Sequence, residues 1–194
     1  MRVSREVMAQ HRKDIVAATS KMLRKHGIGG TSVIDLMRAV GLTHGGFYKH
    51  FKSKDALVAE STQKIFDDII GTFEAQSREV GSKAALAAYV DRYLGSRHVR
   101  HPEAGCPLAA FGVDAARDSR AVRTAFKDGT SRLLALFESG LSCPKEKRRE
   151  KSVELMALLS GAIVAARASG DAKLADEFLE HARRRAARIV ADTR

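Results

Sequence analysis

Apolar positions recur with helical spacing along almost the whole chain. Met8, Ile15, Ala18 and Met22 fall at steps of seven, three and four, and Val33, Leu36, Met37 and Val40 stand at i, i+3, i+4 and i+7. Leu86, Tyr89, Val90, Tyr93 and Leu94 repeat that template, as do Ile65, Ile69 and Phe73, then Val122, Phe126, Leu133 and Phe137, then Leu174, Phe178, Ala182 and Ile189. No sustained period-two run bounded by hairpin residues interrupts them. Breaks fall at Gly27 to Gly30, Gly41 to Thr43, Lys52-Ser53, Gly81-Ser82, Arg100 to Gly105, Asp118-Ser119, Gly140 to Pro144 and Gly170-Asp171, where a helix-stopping glycine is often followed by a capping side chain. The pattern predicts an all-α fold of about nine helices.

The segment from Thr31 to Lys54 is the most informative. Its first part reads as a short amphipathic helix opened by Thr31 or Ser32, with Ser32 and Asp35 at capping-box spacing. Gly41 supplies a left-handed stop, Leu42 packs inward, and Thr43 caps a second helix from His44 to about His50. Two short helices joined by a three-residue turn containing glycine make a helix-turn-helix, whose second helix enters the DNA major groove. Gly45 and Gly46 each cost a helix interior roughly 1 kcal/mol relative to alanine, so something other than helicity favours them. Two absent side chains let the backbone approach a phosphate or base edge, while Thr43, His44, Tyr48, Lys49 and His50 supply donors around the gap. Phe47 and Phe51 anchor the helix to the core. Ser53 and Lys54 open a long following helix whose N-terminal amides suit a phosphate. A glycine loop without a helix, and merely exposed histidines at 44 and 50, are the plainer readings.

Charge supports a polyanion partner. The 194 residues carry 34 Lys plus Arg against 23 Asp plus Glu, a net +11. Met1 to Asp55 holds eleven basic and four acidic residues, net +7, and the other 139 residues hold only +4. Such concentration is the electrostatic footprint of a nucleic-acid contact, although a solvated basic surface would read the same. With 44% apolar residues the chain can build a real core. The longest near-apolar stretch, Ala157 to Ala166, is half of what a membrane span needs. The opening residues carry no apolar signal region, and two sparse cysteines suit a reducing cytoplasm, so a cytoplasmic protein is expected. No phosphate loop, nucleophile elbow, His-Glu-x-x-His pair or Cys-x-x-Cys suggests an enzyme, and no cofactor is implied.

Thr31-Ser32-Val33, Ala39-Val40-Gly41-Leu42-Thr43, Gly45, Tyr48, His50-Phe51, Ser53-Lys54-Asp55 and Leu57 resemble the signature of the TetR/AcrR family of bacterial transcriptional regulators over about residues 8 to 58. The resemblance implies a three-helix DNA-binding domain, its first helix about Ser4 to His26, with a division between residues 1–54 and a helical effector-binding and dimerisation domain at 55–194. It implies that His44 and Gly45 to Lys49, thus Gly46, Phe47 and Tyr48 too, face base edges, and that Thr31, Tyr48, His50 and Lys54 hold phosphates, with Ser32 and Thr43 at the same surface. Many relatives carry a hydroxyl residue where this chain has Gly46. The family binds palindromic operators in double-stranded DNA as homodimers, is usually repressive, and is released by small-molecule effectors. A basic helical protein that coats DNA without effector response is the other class consistent with the charge, and would lack operator preference.

Within the second domain, Leu155 to Ala166 is apolar almost all round and needs cover on two sides. A second subunit would cover Leu155, Leu158, Leu159, Ala162, Ile163 and Ala166 together with Phe178, Ala182 and Ile189 of the last helix, Gly161 and Ala165 permitting close approach. The central helix of a monomer would also look like this. Tyr89, Tyr93, Phe111, Phe126 and Phe137 could surround an effector cavity, or fill an ordinary core. Pro107 fits the first position of a helix, making Cys106 its N-cap, where unpaired amides and the nearby Arg100, His98 and His101 would lower the thiol pKa. The Gly105-Cys106-Pro107-Leu108 run resembles that of a TetR subgroup, some members of which are thiol-based sensors. An inert buried cysteine is the alternative. Cys143 would resolve an oxidised Cys106 only if the fold brought it near. His98, His101 and Cys106 fit no standard zinc spacing, so no metal site is expected.

Overall fold

The computed structural model describes residues 5–193, so the predicted start of the first helix at Ser4 lies outside the described residues. Nine α-helices and two 3-10 turns are present among them, with no strand. In chain order the α-helices are α1 (Arg5–His26), α2 (Val33–Ala39), α3 (Lys54–Val80), α4 (Ser82–Tyr93), α5 (Ser96–Arg100), α6 (Pro107–Ala116), α7 (Arg120–Gly140), α8 (Lys145–Ala168) and α9 (Ala172–Ala191). The 3-10 turns are His44–Lys49, between α2 and α3, and Pro102–Ala104, between α5 and α6.

Helix ends carry the chemistry their residues imply. Ser32 Oγ accepts from the Asp35 amide at 3.1 Å, Ser53 Oγ from Ala56 at 3.1 Å, and Asp171 from Leu174 at 2.7 Å. After α2 the chain turns through Gly41 at φ 70, and Leu42 N–H returns to Met37 O at 2.9 Å. The predicted second helix of the motif differs. His44–Lys49 is a 3-10 turn, with Gly46 N–H on Thr43 O and His50 N–H on Phe47 O, both at 2.9 Å. Thr43 stands at its N-cap but makes no side-chain cap bond. Six residues with glycine at the second and third lack the length and propensity to hold an α-helix, and the tighter ladder serves short pieces.

Two apolar clusters form. The smaller gathers Ile15 and Val16 of α1, Leu36 and Met37 of α2, Phe47, Phe51, and Leu57 from the start of α3. The larger packs α3 against α7 at its centre, with α4, α6, α8 and α9 around them, and also takes in Leu23 near the end of α1 and Ile28 in the turn after it. α1 and α3 thus belong to both clusters.

The division of α8 corrects the predicted subunit face. Leu155, Leu159, Ala162, Ile163 and Ala166, with Ala182 and Ile189 of α9, are buried within this single chain. α6, α7 and α9 pack on α8 and take its bulky side chains. The outer face carries smaller groups, Val153, Ala157, Gly161 and Val164, beside half-buried Leu158 and the exposed Leu174 and Phe178 of α9. Only Leu158 and Phe178 of the predicted set lie outward.

Close packing at the centre makes one glycine indispensable. A Cβ on Gly129 of α7 would stand 2.2 Å from the ring of Phe66 on α3, which is fully buried and edge-on to Phe126. Gly129→Ala gains about 1 kcal/mol of helix propensity, yet overpacking costs about 1–3 kcal/mol where no side chain can yield. Urea denaturation is expected to report net destabilisation; an unchanged or higher midpoint would mean that α3 and α7 are less tightly seated.

Candidate nucleic-acid interface and effector cleft

The 3-10 turn is seated by its aromatic residues. Phe47 and Phe51 are buried, their rings stacked at 5.7 Å, so Phe47 positions the turn and presents nothing to a partner. Arg12 of α1 clamps it from beneath: its guanidinium lies 4.3 Å over the Phe51 ring, donates to the His50 carbonyl, and pairs with Glu60 of α3. Thr43, His44, Gly45, Tyr48 and Lys49 face outward, and the exposed Tyr48 ring meets His44 edge-on at 6.2 Å. Gly46 and His50 are half-buried.

Neither glycine answers to an internal need. Both have negative φ, a Cβ on Gly45 would meet nothing within 4 Å, and one on Gly46 would make ordinary contacts with Thr43 Oγ1 at 3.5 Å and Met37 Cε at 3.6 Å. The fold has room for side chains that the sequence omits. Around this gap the surface is cationic. Partial burial, then the neighbouring His11, Arg12 and Lys49, hold the His50 pKa below its usual value.

Two expected phosphate ligands sit differently. Thr31 is fully buried with its hydroxyl on Gly27 O at 2.7 Å, so it braces the turn after α1 and its side chain cannot reach a phosphate. Lys54 Nζ donates to Ile28 O at 2.8 Å, tying the start of α3 to the same turn; a phosphate there would use its remaining donors. Ser32 is exposed but caps α2 and donates to Asp35 at 2.5 Å.

A cleft of about 440 Å³ opens between α1, α3, α4, α5 and the turn before α6. Tyr89, Tyr93 and Cys106 line it, as do Ile65, Ile69, Arg24, Arg92 and Arg97. Phe111, Phe126 and Phe137 do not. They are core residues, Phe111 and Phe137 each edge-on to a neighbouring ring, Phe126 and Tyr89 respectively.

Cys106 does cap α6, with Pro107 in the first turn, but the expected reactive thiolate is overturned. The thiol is buried, and that burial raises its pKa, outweighing the Tyr93 hydroxyl and the Leu108 and Ala109 amides that favour the anion. Nor do the predicted neighbours supply positive charge at the thiol. Arg100 reaches Ser96, His101 meets Glu103, and burial lowers the His98 pKa to about 4. Neutral His98 donates from Nδ1 to Tyr93 O at 2.8 Å and accepts the Cys106 amide at Nε2, 3.0 Å away. Both nitrogens are thus engaged, and neither is open to a metal. The arginine that faces Cys106 is Arg167 of α8, which donates to His98 O at 2.6 Å and Ala109 O at 3.3 Å. Like Arg12, it carries no marker in the sequence.

The 3-10 turn at His44–Lys49 and the cleft share α1. Arg24 lines the cleft while donating to Ser20 O at 2.9 Å and Gly105 O at 3.3 Å. One helical turn on, Asp114 of α6 accepts the Ile28 amide at 2.9 Å, and its carboxylate occupies the space a Cβ on Gly27 would need.

The family model for bacterial regulatory proteins of the tetR family matches residues 15–61, the stretch that holds the seated turn and its clamp. Over that stretch the chain matches the tetR family. The chain is 30% identical over 80 residues to the HTH-type transcriptional repressor KstR2 of Rhodococcus jostii, a stretch covering 41% of this chain and 39% of that protein. It is 25% identical over 127 residues to the HTH-type transcriptional repressor DhaR of a Mycobacterium species, covering 66% and 60%. The matched stretches therefore span less than two thirds of either relative. The crystal structure of a TetR-family transcriptional regulator from Cytophaga hutchinsonii shares the fold over 100% of both chains, with a TM-score of 0.76 at 22% identity. No helix among the described residues is long and apolar enough to cross a membrane.

The depressed His98 pKa has a consequence in solution. Unfolded, this histidine titrates near 6.5; folded, near 4, so below about pH 6.5 the unfolded chain takes up a proton the folded chain refuses. The His98 contribution to stability is complete above pH 6.5 and is lost as pH falls towards 4. A proton-detected titration of its ring should show a midpoint near 4; a midpoint close to 6.5 would contradict the burial and bonding described.

Proposed function

We propose that this protein is a transcriptional repressor that binds a palindromic operator in double-stranded DNA as a homodimer, acting in the cytoplasm and released by a small-molecule effector or by modification of Cys106. Residues 1–54 read DNA in this proposal, and 55–194 bind effector and partner subunit. The observation that carries it is the gap at Gly45 and Gly46. Two residues that weaken a helix and serve no internal contact stand on an exposed, cationic turn with a rigid aromatic base. That surface suits a backbone that must come within reach of a base edge or phosphate, with His44 reading and Tyr48, Lys49 and His50 positioning. The matched relatives named as repressors support the sign of regulation.

Homodimerisation is assigned to the outer face of α8 and α9. Val153, Ala157, Gly161 and Val164 recur at helical spacing beside Leu174 and Phe178, a flat apolar stripe that a two-fold mate would cover. Two heads so joined would meet successive major grooves about 34–36 Å apart. The effector enters the cleft beside Cys106. Modification of that sulfur would place new atoms in the same cleft wall, and its high pKa makes this the slower route of release.

Gly45→Ala should leave the melting temperature unchanged or raised, by up to about 1 kcal/mol of stability, while weakening binding to a selected operator at least about tenfold. Tyr48→Phe should weaken binding to all sequences by a similar modest factor, and His44→Ala should change which bases a random DNA pool yields. If none of the three alters binding, the turn is not the reading surface. Indifference to sequence in the unmodified protein would instead favour a DNA-coating role.

The pair Val164→Glu and Phe178→Glu places charge on the outer stripe without touching either core. Sedimentation should show the double variant as a monomer, with operator affinity reduced at least about a hundredfold because each half-site is then held alone. A dimer that persists would move the interface elsewhere.

A further inference from the structure

The cleft combines an apolar wall with an excess of positive charge. Ile69, Tyr89 and Tyr93 line its interior, and three arginines from three different helices, Arg24, Arg92 and Arg97, reach it. A single carboxylate, Asp68, stands among its lining residues; it partly offsets Arg24, but both its oxygens are held by Lys64 at 2.8 and 2.9 Å. Arg92 lies over the Tyr89 ring at 5.6 Å, so a guanidinium stands directly on the apolar wall. The Arg97 guanidinium has no ion-pair or hydrogen-bond partner among the described residues, nor does the Tyr89 hydroxyl have a hydrogen-bond partner. Cys106 and His98 are neutral and cannot balance these charges.

Like charges gathered at one cleft repel unless an anion joins them, and guanidinium forks match carboxylate and phosphate oxygens in pairs. A cationic ligand would add to the repulsion, and a neutral one would leave the arginines unused. The volume lies within the usual range for small-molecule sites. We propose that the cleft takes an organic anion with an apolar body, its carboxylate or phosphate among Arg24, Arg92 and Arg97 and its body against Ile69, Tyr89 and Tyr93. This rests on the effector reading above and specifies its ligand. Arg24 gives the class a regulatory consequence. It belongs to α1, whose Ile15 and Val16 sit under the reading turn, and it ties α1 to Gly105 beside the cleft. An acid group that draws Arg24 towards itself acts on the reading head without an intermediary.

The test is calorimetric titration of the full-length protein with hexanoate, decanoate, 4-phenylbutyrate and decyl phosphate, each beside its neutral alcohol. At least one acid should bind about tenfold or more tightly than its alcohol, and the carboxylate and phosphate arms identify the head group. Arg92→Gln with Arg97→Gln should abolish that margin at unchanged melting temperature, whereas Arg123→Gln, on the far surface of α7, should retain it. Arg24→Gln should bind operator but release it poorly on adding the acid. Acids that bind no better than alcohols, or a margin that survives loss of Arg92 and Arg97, would overturn the proposal. Operator selection without any acid separates the two levels: a selective binder indifferent to acids loses only the ligand class, and an acid binder indifferent to DNA loses only the regulatory reading.

Discussion

Burial of Phe47 and Phe51 against Ile15, Leu36, Met37 and Leu57 is the interaction on which the His44–Lys49 turn, and so the proposed DNA-reading surface, depends. A six-residue 3-10 turn has almost no stability of its own, and two glycines lower it further. Two phenylalanine side chains removed from water contribute on the order of 2–3 kcal/mol each, more than the glycines forfeit. The turn is therefore held by its floor and not by its ladder. Freed from any duty to its own stability, its outer face can be chosen for an external partner. Arg12 completes the floor by joining α1, the turn and α3 through one guanidinium whose three contacts differ in kind: a ring face, a carbonyl and a carboxylate.

The same economy of parts governs the connection to the rest of the chain. No flexible linker separates the two clusters. Leu57 of α3 enters the smaller one and Val58, the next residue, the larger. α1 contributes Ile15 and Val16 to one and Leu23 to the other. Polar contacts reinforce the join at the turn after α1, where Asp114 of α6 takes the Ile28 amide and Lys54 of α3 takes the Ile28 carbonyl. A single residue thus reports the positions of two helices from the larger cluster. Partly buried backbone groups satisfied by charged side chains are costly to break, which makes this turn a fixed joint and not a hinge.

What the sequence discloses follows the range of the physics. Capping and glycine stops act within four residues, so the helix count, the ends at Ser32, Gly41, Ser53 and Asp171, and the helix-turn-helix were legible. Thr31 and Ser32 show the limit: either hydroxyl could cap α2, and only the packing of the turn after α1 sends Thr31 inward. The face of α8 was misread for a related reason. A helix apolar all round has no periodicity to say which side meets its own domain; size decides, with Leu155, Leu159 and Ile163 filling the interior and Gly161 and Val164 left outside. At Cys106 the local inference of an N-cap was right and its chemical consequence was not. The stabilisation of a thiolate by helix amides falls within the first turn, whereas the desolvation that opposes it comes from the helices packed around the thiol, which no local pattern reveals.

α3 gives the proposed regulation its geometry. Its 27 residues extend about 40 Å at 1.5 Å per residue. Leu57 sits in the core of the reading head, and Ile65, Asp68, Ile69 and Thr72 line the cleft two to four turns further along. Beyond them Phe73 is locked among α4 and α7, through the Tyr89 ring 6.0 Å away. The far end of the helix is thereby pinned, the near end carries the head, and whatever occupies the cleft presses on the span between. Close-packed interiors do not deform continuously, so a ligand that needs more room on that span has to tilt α3 about its pinned end. A tilt of a few degrees moves the head by about 2 Å over such a length. In a two-fold assembly both heads move together, in opposite senses, and their separation changes by twice that amount, against a groove spacing that DNA holds stiffly.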